Sequence, residues 1–145
     1  MFDYVKIKPY SLQVKKMFQP LLDSNIRSGF IVEIKYKNYI GFGEIAPLPR
    51  YSIETMKEIP WLLEEFKSMK INIIDESEVD QVLQAFFEAV PSFKFGIETA
   101  IYDILSQINK MPLAQMINPH CPYYILLNDL YFDSSQSLKS DVIKI

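Results

Sequence analysis

GFGEIAPLPRYSIET, residues 41–55, alternates at first and then stops alternating. Gly41 and Gly43 interleave with Phe42 and Glu44 in a strand pattern, and the absent side chains let another backbone approach closely. Glu44 closes that strand before Pro47 and Pro49, which open a stiff loop. The glycines are no dinucleotide fingerprint, because no helix follows them and a third glycine is missing. Taken alone, the segment reads as a hairpin strand followed by a rigid turn.

Upstream, Gly29 begins FIVEIKYK, with Phe30, Val32, Ile34 and Tyr36 on one face and Ile31, Glu33, Lys35 and Lys37 on the other. Asn38 marks a turn and YIGFGEI returns, so these two strands are expected to pair antiparallel. The opening alternates like a strand until Pro9, and Leu12 to Val14 could resume it. Between Met17 and Ser28 the periodicity is lost. Pro20, Asp23, Ser24 and Asn25 favour turns there, which predicts a long loop of the kind that carries function.

Downstream, Ser52 and Thr55 are capping residues, and Glu54 suits a first helical turn. A helix toward Met69 is expected, kinked or restarted at Pro60. A second spans Ser77 to Val90, with Val79, Val82, Leu83, Phe86 and Phe87 on one face. Pro91 breaks it and Ser92 can cap a third, in which Phe93, Ile97, Ala100, Ile101, Ile104, Leu105 and Ile108 recur at helical spacing. Gly96 inside that helix costs about 1 kcal/mol against alanine, which points to a close neighbour. Phe86, Phe87, Phe93 and Phe95 read as helix-packing core. After a loop with Pro112, Pro119 and Pro122, YYILLNDL reads as a buried strand, SSQSLKS as a short helix and DVIKI as the start of another strand. That is one parallel strand–helix–strand unit with nothing to close it, so the chain is expected to be truncated.

Length, at 145 residues, suits one hydrophobic core, and 49% apolar with 23% charged residues is soluble-globular composition. The net charge of −3 is scattered, with no basic stripe, which argues against nucleic acid as a partner. Cys121 is the only cysteine, so neither an intramolecular disulfide nor a thiolate zinc site is possible. Charged Asp3, Lys6 and Lys8 rule out a signal peptide at the start, and the apolar run from Cys121 to Asn128 is too short for a bilayer. A cytoplasmic protein without membrane partners is expected. His120 and Cys121 lack an orienting third group and read as a structural loop. Glu64, Glu65, Asp75, Glu76, Glu78 and Asp80 read as solvated helix ends that hold no metal.

Taken whole, residues 41–55 closely resemble the GxGEIxPLPxxSxET signature that ends the capping-domain meander of o-succinylbenzoate synthases, in the enolase superfamily. Arg27-Ser28-Gly29 resembles the family's Arg-x-Gly, and PSFKFGIETAIYDI, residues 91–104, resembles its PSxxFGxExAxxDL helix. LLNDL would be the first barrel strand and VIKI would run into the Lys-x-Lys strand. Arg50 departs from the family, which often has glycine there, and the stretch from Asn128 to Lys144 is short for a first barrel helix.

The resemblance implies an α+β fold: an N-terminal capping domain over residues 1–118, made of a three-stranded antiparallel meander and a helical bundle. Residues 119–145 would be the start of a truncated TIM-type (β/α) barrel. The implied parent is a lyase that dehydrates a cyclohexadiene carboxylate, SHCHC, to o-succinylbenzoate in menaquinone biosynthesis. A lysine removes the proton beside the carboxylate and magnesium stabilises the enediolate, which is the superfamily's pattern. The site lies at the carboxyl ends of the barrel strands, closed by loops that map to residues 17–28 and 47–51. Phe18 and Leu21 from the first loop, and Leu48, Pro49 and Tyr51 from the second, are the implied substrate contacts. Arg27 could reach an anionic substrate, and Lys144 would be the first lysine of Lys-x-Lys, near the substrate carboxylate. No metal ligand is expected within this chain. The magnesium ligands and the base belong to a missing barrel portion or a complementing chain, so 145 residues alone should be inactive. Two readings compete. One is another superfamily member, such as a dipeptide epimerase, a muconate-cycloisomerase-like enzyme or an N-acylamino acid racemase; the other is a non-catalytic α+β interaction domain.

Overall fold

A computed structural model describes residues 2–15, 25–49, 51–69, 71–72, 74–122, 128–130 and 142–144, the last two stretches by their backbone. They fall into two units, residues 1–113 and 114–145. In the first, β1 (Tyr4–Gln13), β2 (Ile26–Tyr36) and β3 (Tyr39–Ile45) form an antiparallel sheet in that order. Period-two alternation divides its faces as expected: Val32 and Ile34 are fully buried and Tyr36 nearly so, while Ile31 and Phe42 lie on the open side. Tyr36 pairs with Tyr39, leaving a two-residue turn in which Lys37 takes the left-handed conformation at φ 54°.

β1 differs from the sequence expectation in running unbroken through Pro9. It is an edge strand. The N–H of Val14 donates to the carbonyl of Asn25 at 2.8 Å in the register that pairs Pro9 with Phe30. Bonded pairs alternate in an antiparallel ladder, so Pro9 falls between them and its nitrogen faces the open edge, where no donor is needed.

The helices are α1 (Ile59–Ser68), α2 (Glu76–Phe87), α3 (Pro91–Asn109) and the single turn α4 (Leu113–Ile117). Pro60 sits in the first turn of α1, so the helix starts there and neither Ser52 nor Thr55 caps it. Asp75 caps α2 by accepting from the N–H of Glu78 at 3.1 Å. Pro91, not Ser92, opens α3. The core chain of rings runs Phe2–Phe66–Phe87–Phe93, with centroid separations of 5.3, 6.1 and 5.0 Å. Phe86 and Phe95 are corrections to the expected core, being 60% and 62% exposed. Each lies beside the i, i+4 stripe (Val79, Leu83, Phe87 on α2; Phe93, Ile97, Ile101 on α3) and turns outward.

β3 packs on α3 almost backbone to backbone. A Cβ on Gly43 would strike the carbonyl oxygen of Gly96, and one on Gly41 would strike that of Ala100. One on Gly96 would come within 2.8 Å of the carbonyl oxygen of Glu44. This interlock is what the three glycines predicted. α3 also closes the outer edge of β3: Asp103 accepts from the N–H of Phe42 at 2.9 Å, and Gln107 donates to the carbonyl of Ile40 at 2.8 Å.

In the second unit, β4 (Asn128–Leu130) and β5 (Val142–Lys144) pair in parallel, Asn128 with Val142 and Leu130 with Lys144. The helix expected between them, SSQSLKS, lies outside the described residues. Among the described residues no helix is long and apolar enough to cross a membrane.

Candidate functional site

Beyond Ile45 the chain leaves the sheet, and Arg27 on β2 catches it. Its Nη1 donates to the carbonyl of Pro47 at 2.6 Å, and its Nη2 to the carbonyl of Ala46. Both arms of the fork are spent on backbone oxygens that would otherwise lack partners. The turn that follows is closed on itself. The carbonyl of Leu48 accepts from the N–H groups of Tyr51 at 3.0 Å and Ser52 at 2.8 Å. The N–H of Leu48 donates to the hydroxyl of Ser52 at 2.8 Å. Leu48 is half-buried and Pro49 exposed, while Tyr51 and Ile53 stand 75% and 76% exposed.

The far end of the loop is held by Glu54, buried to 3% exposure. Its Oε1 accepts from the N–H groups of Ser92 at 2.5 Å and Phe93 at 3.2 Å, and from the Ser92 hydroxyl. α3 is preceded by Val90, which offers no capping side chain. Glu54 therefore satisfies the orphan donors of that helix from 38 positions away, with its charge at the positive end of the helix dipole. Its second oxygen is buried without a hydrogen-bond partner.

At the same end of the sheet, the Tyr10 hydroxyl donates to Glu44 across β2. Gly29 makes room: a Cβ there would meet the Tyr10 hydroxyl at 2.5 Å and its ring at 2.7 Å. The glycine of Arg27-Ser28-Gly29 thus serves the Tyr10 ring and the arginine serves the 46–47 backbone. Burial, followed by the hydrogen bond to Glu44 and that carboxylate's charge, pushes the Tyr10 phenol up to about 12, against the opposing pull of Arg27.

These parts bring together four of the residues singled out from sequence: Arg27, Leu48, Pro49 and Tyr51. Phe18 and Leu21 lie outside the described residues. Lys144 stands in β5 opposite Leu130, in the second unit. Glu54, expected in the first turn of a helix, lies before α1 and instead anchors the far end of the loop. The signal for Glu54 was its place in the signature, but its partner is too distant for any local pattern to reveal.

The arrangement is a pinned and polar-braced turn, without a nucleophile–base pair. No group of three or more His, Cys, Asp or Glu among the described residues could hold a metal ion. The magnesium implied by the resemblance therefore finds no fit there, and no step through it is assigned to them. His120 and Cys121 sit in a turn organised by Asn118, which accepts from the backbone N–H of each.

No curated protein matches the chain. Among solved structures it is similar to a mandelate racemase/muconate lactonizing protein from Herpetosiphon aurantiacus, with TM-score 0.66 and 20% identity over 81% of this chain and 32% of that one. It is also similar to a dipeptide epimerase from Methylococcus capsulatus complexed with Mg ion (0.65, 17%, 80% and 32%). An L-Ala-D/L-Glu epimerase follows at 0.61 and 18%, over 88% and 36%. The likeness shows the fold alone, a three-stranded antiparallel sheet packed against helices. The chain spans about a third of the length of these structures. Residues 19–104, which take in β2, β3, the braced turn and most of α3, match the family described as "MenC, N-terminal domain". The chain belongs to the MenC N-terminal domain family.

Proposed function

We propose that the chain is the amino-terminal part of an o-succinylbenzoate synthase, a cytoplasmic, magnesium-dependent lyase that dehydrates SHCHC on the way to menaquinone. The observation that carries this reading is the 41–55 segment inside the MenC family match, whose close-packed glycines, arginine-held Ala46–Pro47 backbone and buried Glu54 belong to one braced stretch. In this reading the capping domain lends shape. Its loop forms a wall over the small-molecule carboxylate, excludes water, and leaves proton transfer to lysines of the barrel. Lys144 would be the first of these, beside the substrate carboxylate. Phe18, Leu21, Leu48, Pro49 and Tyr51 would line the wall. Magnesium would be held outside the described residues, on the remaining barrel portion or on a complementing chain.

Dipeptide epimerisation is the second reading, favoured by the two epimerases among the structural neighbours. A longer product carrying this sequence, given magnesium and either SHCHC or L-Ala-D-Glu, separates the two. Dehydration without epimerisation is expected. Epimerisation without dehydration would transfer the assignment to the epimerases, and silence with both substrates would favour an interaction domain.

A further inference from the structure

We propose that the open face of the three-stranded sheet is a docking surface for a second copy of this chain, whose acidic α2 lies across it. The association does not depend on the reaction assigned to the parent enzyme.

On the open face the register sets Lys6, Glu33 and Phe42 in one row and Lys8, Ile31 and Glu44 in the next. Phe42 is 51% exposed. A hollow of about 460 Å³ lies there, where the apolar corner of Ile31 and Phe42 meets the ammonium groups of Lys6 and Lys8. The carboxylates of this face are not spent on those lysines. Glu33 and Glu44 accept from the hydroxyls of Tyr4 and Tyr10. The ion pairs among the described residues, Lys67–Glu64 and Lys94–Glu88, belong to the helical layer. Lys6 stands instead 4.0 Å from the Tyr4 ring centre, a contact that supplies no opposing charge. Pairing along the β1 edge is discouraged, since Pro9 interrupts its donors and lysines flank it. A partner is therefore expected on the face.

The same unit carries the complement. α2 has Glu76, Glu78 and Asp80, no Lys or Arg, and Asp75 as its cap. Glu78, Val82 and Phe86 follow one another at i, i+4 and i+8 along one side of it. Phe86 is 60% exposed, with no role in the core of its own chain. The spacings agree. Glu78 and Phe86 are about 12 Å apart at 1.5 Å per residue. Lys6 and Phe42, two strands apart in one row, are separated by about 10 Å. Phe86 of a second copy can thus meet Phe42 and Ile31 while its Glu78 reaches Lys6 and Lys8, with the opposite charges steering the approach. Sheet face and α2 are different surfaces, so the contact runs head to tail and leaves one of each free for further copies.

Analytical ultracentrifugation of the 145-residue chain tests this. The weight-average mass is expected to rise above 17.0 kDa with concentration, and association to weaken about tenfold between roughly 50 and 500 mM salt. Phe42→Ser and Phe86→Ser, both at exposed positions, should each sediment as a monomer with an unchanged unfolding midpoint. Their mixture reads the arrangement. The first variant keeps α2 and the second keeps the sheet face, so together they are expected to form a two-chain species that grows no further. A wild type that stays monomeric at every concentration would overturn the docking surface, as would association that neither substitution weakens. Loss in only one variant, or two monomers that remain monomeric when mixed, would overturn the pairing of sheet with α2.

Discussion

The β3–α3 interface and the 46–54 loop are consecutive in sequence and held by opposite means. At the interface, side chains have been removed: Gly41, Gly43 and Gly96 let strand and helix meet at backbone distance. In the loop, polar side chains have been recruited: Arg27, Ser52 and Glu54 satisfy backbone groups that no sheet or helix covers. The first is decided by steric exclusion and tolerates nothing added. The second is decided by a few hydrogen bonds and can be loosened one anchor at a time. A scaffold and its adjustable rim can therefore follow one another within fifteen residues (41–55).

The sharpest way to break this contrast is at the glycines. Gly43→Ala would drive a Cβ into the Gly96 carbonyl, which no rotamer change can relieve, and should cost about 3 kcal/mol, the upper end of ordinary overpacking. Gly29→Ala meets only the outer end of the Tyr10 side chain, which can swing away, and should cost less than about 1 kcal/mol. Denaturant unfolding of both variants checks the pair; equal losses would mean that the backbone interlock is not special. An intermediate effect is expected at Glu54→Ala, about 1–2 kcal/mol for a lost helix cap. The same unfolding experiment reads it, and a neutral result would show that α3 starts equally well without the loop.

Tyr10 gives the smallest effect. Its phenol is pushed up to about 12 in the folded protein, whereas an unfolded tyrosine titrates near about 10. The folded state holds that proton more tightly, so the contribution is complete below about pH 10 and is lost as pH rises from 10 to 12. The melting temperature of the wild type should fall relative to that of Tyr10→Phe across that window. Curves that remain parallel would separate the Tyr10–Glu44 tie from alkaline unfolding.

Much of the scaffold was legible because its causes are local. Alternation from Phe30 to Tyr36 assigns the buried face, the seven apolar positions from Phe93 to Ile108 trace α3, and glycine at 41, 43 and 96 signals close approach before any partner is known. What failed depends on topology or on side-chain direction. Pro9 suggests a break until β1 is known to be an edge, and Phe86 looks like core until the helix stripe passes beside it. The loop's signature could be read, but not its mechanics. Arg27 meets residues about twenty positions on, and Glu54 meets a helix 38 positions on, and neither separation has a period or a spacing rule. The parallel pairing of β4 with β5 was expected, and the helix between them lies outside the described residues.

In the proposed function, the MenC N-terminal domain contributes shape while the chemistry belongs to residues beyond those described. The most direct measurement is a dehydratase assay of the purified 145-residue chain with SHCHC and magnesium. No turnover is predicted, whatever the state of the loop. Turnover by this chain alone would overturn that division of labour, since it would require a base and a metal site that the braced loop does not provide.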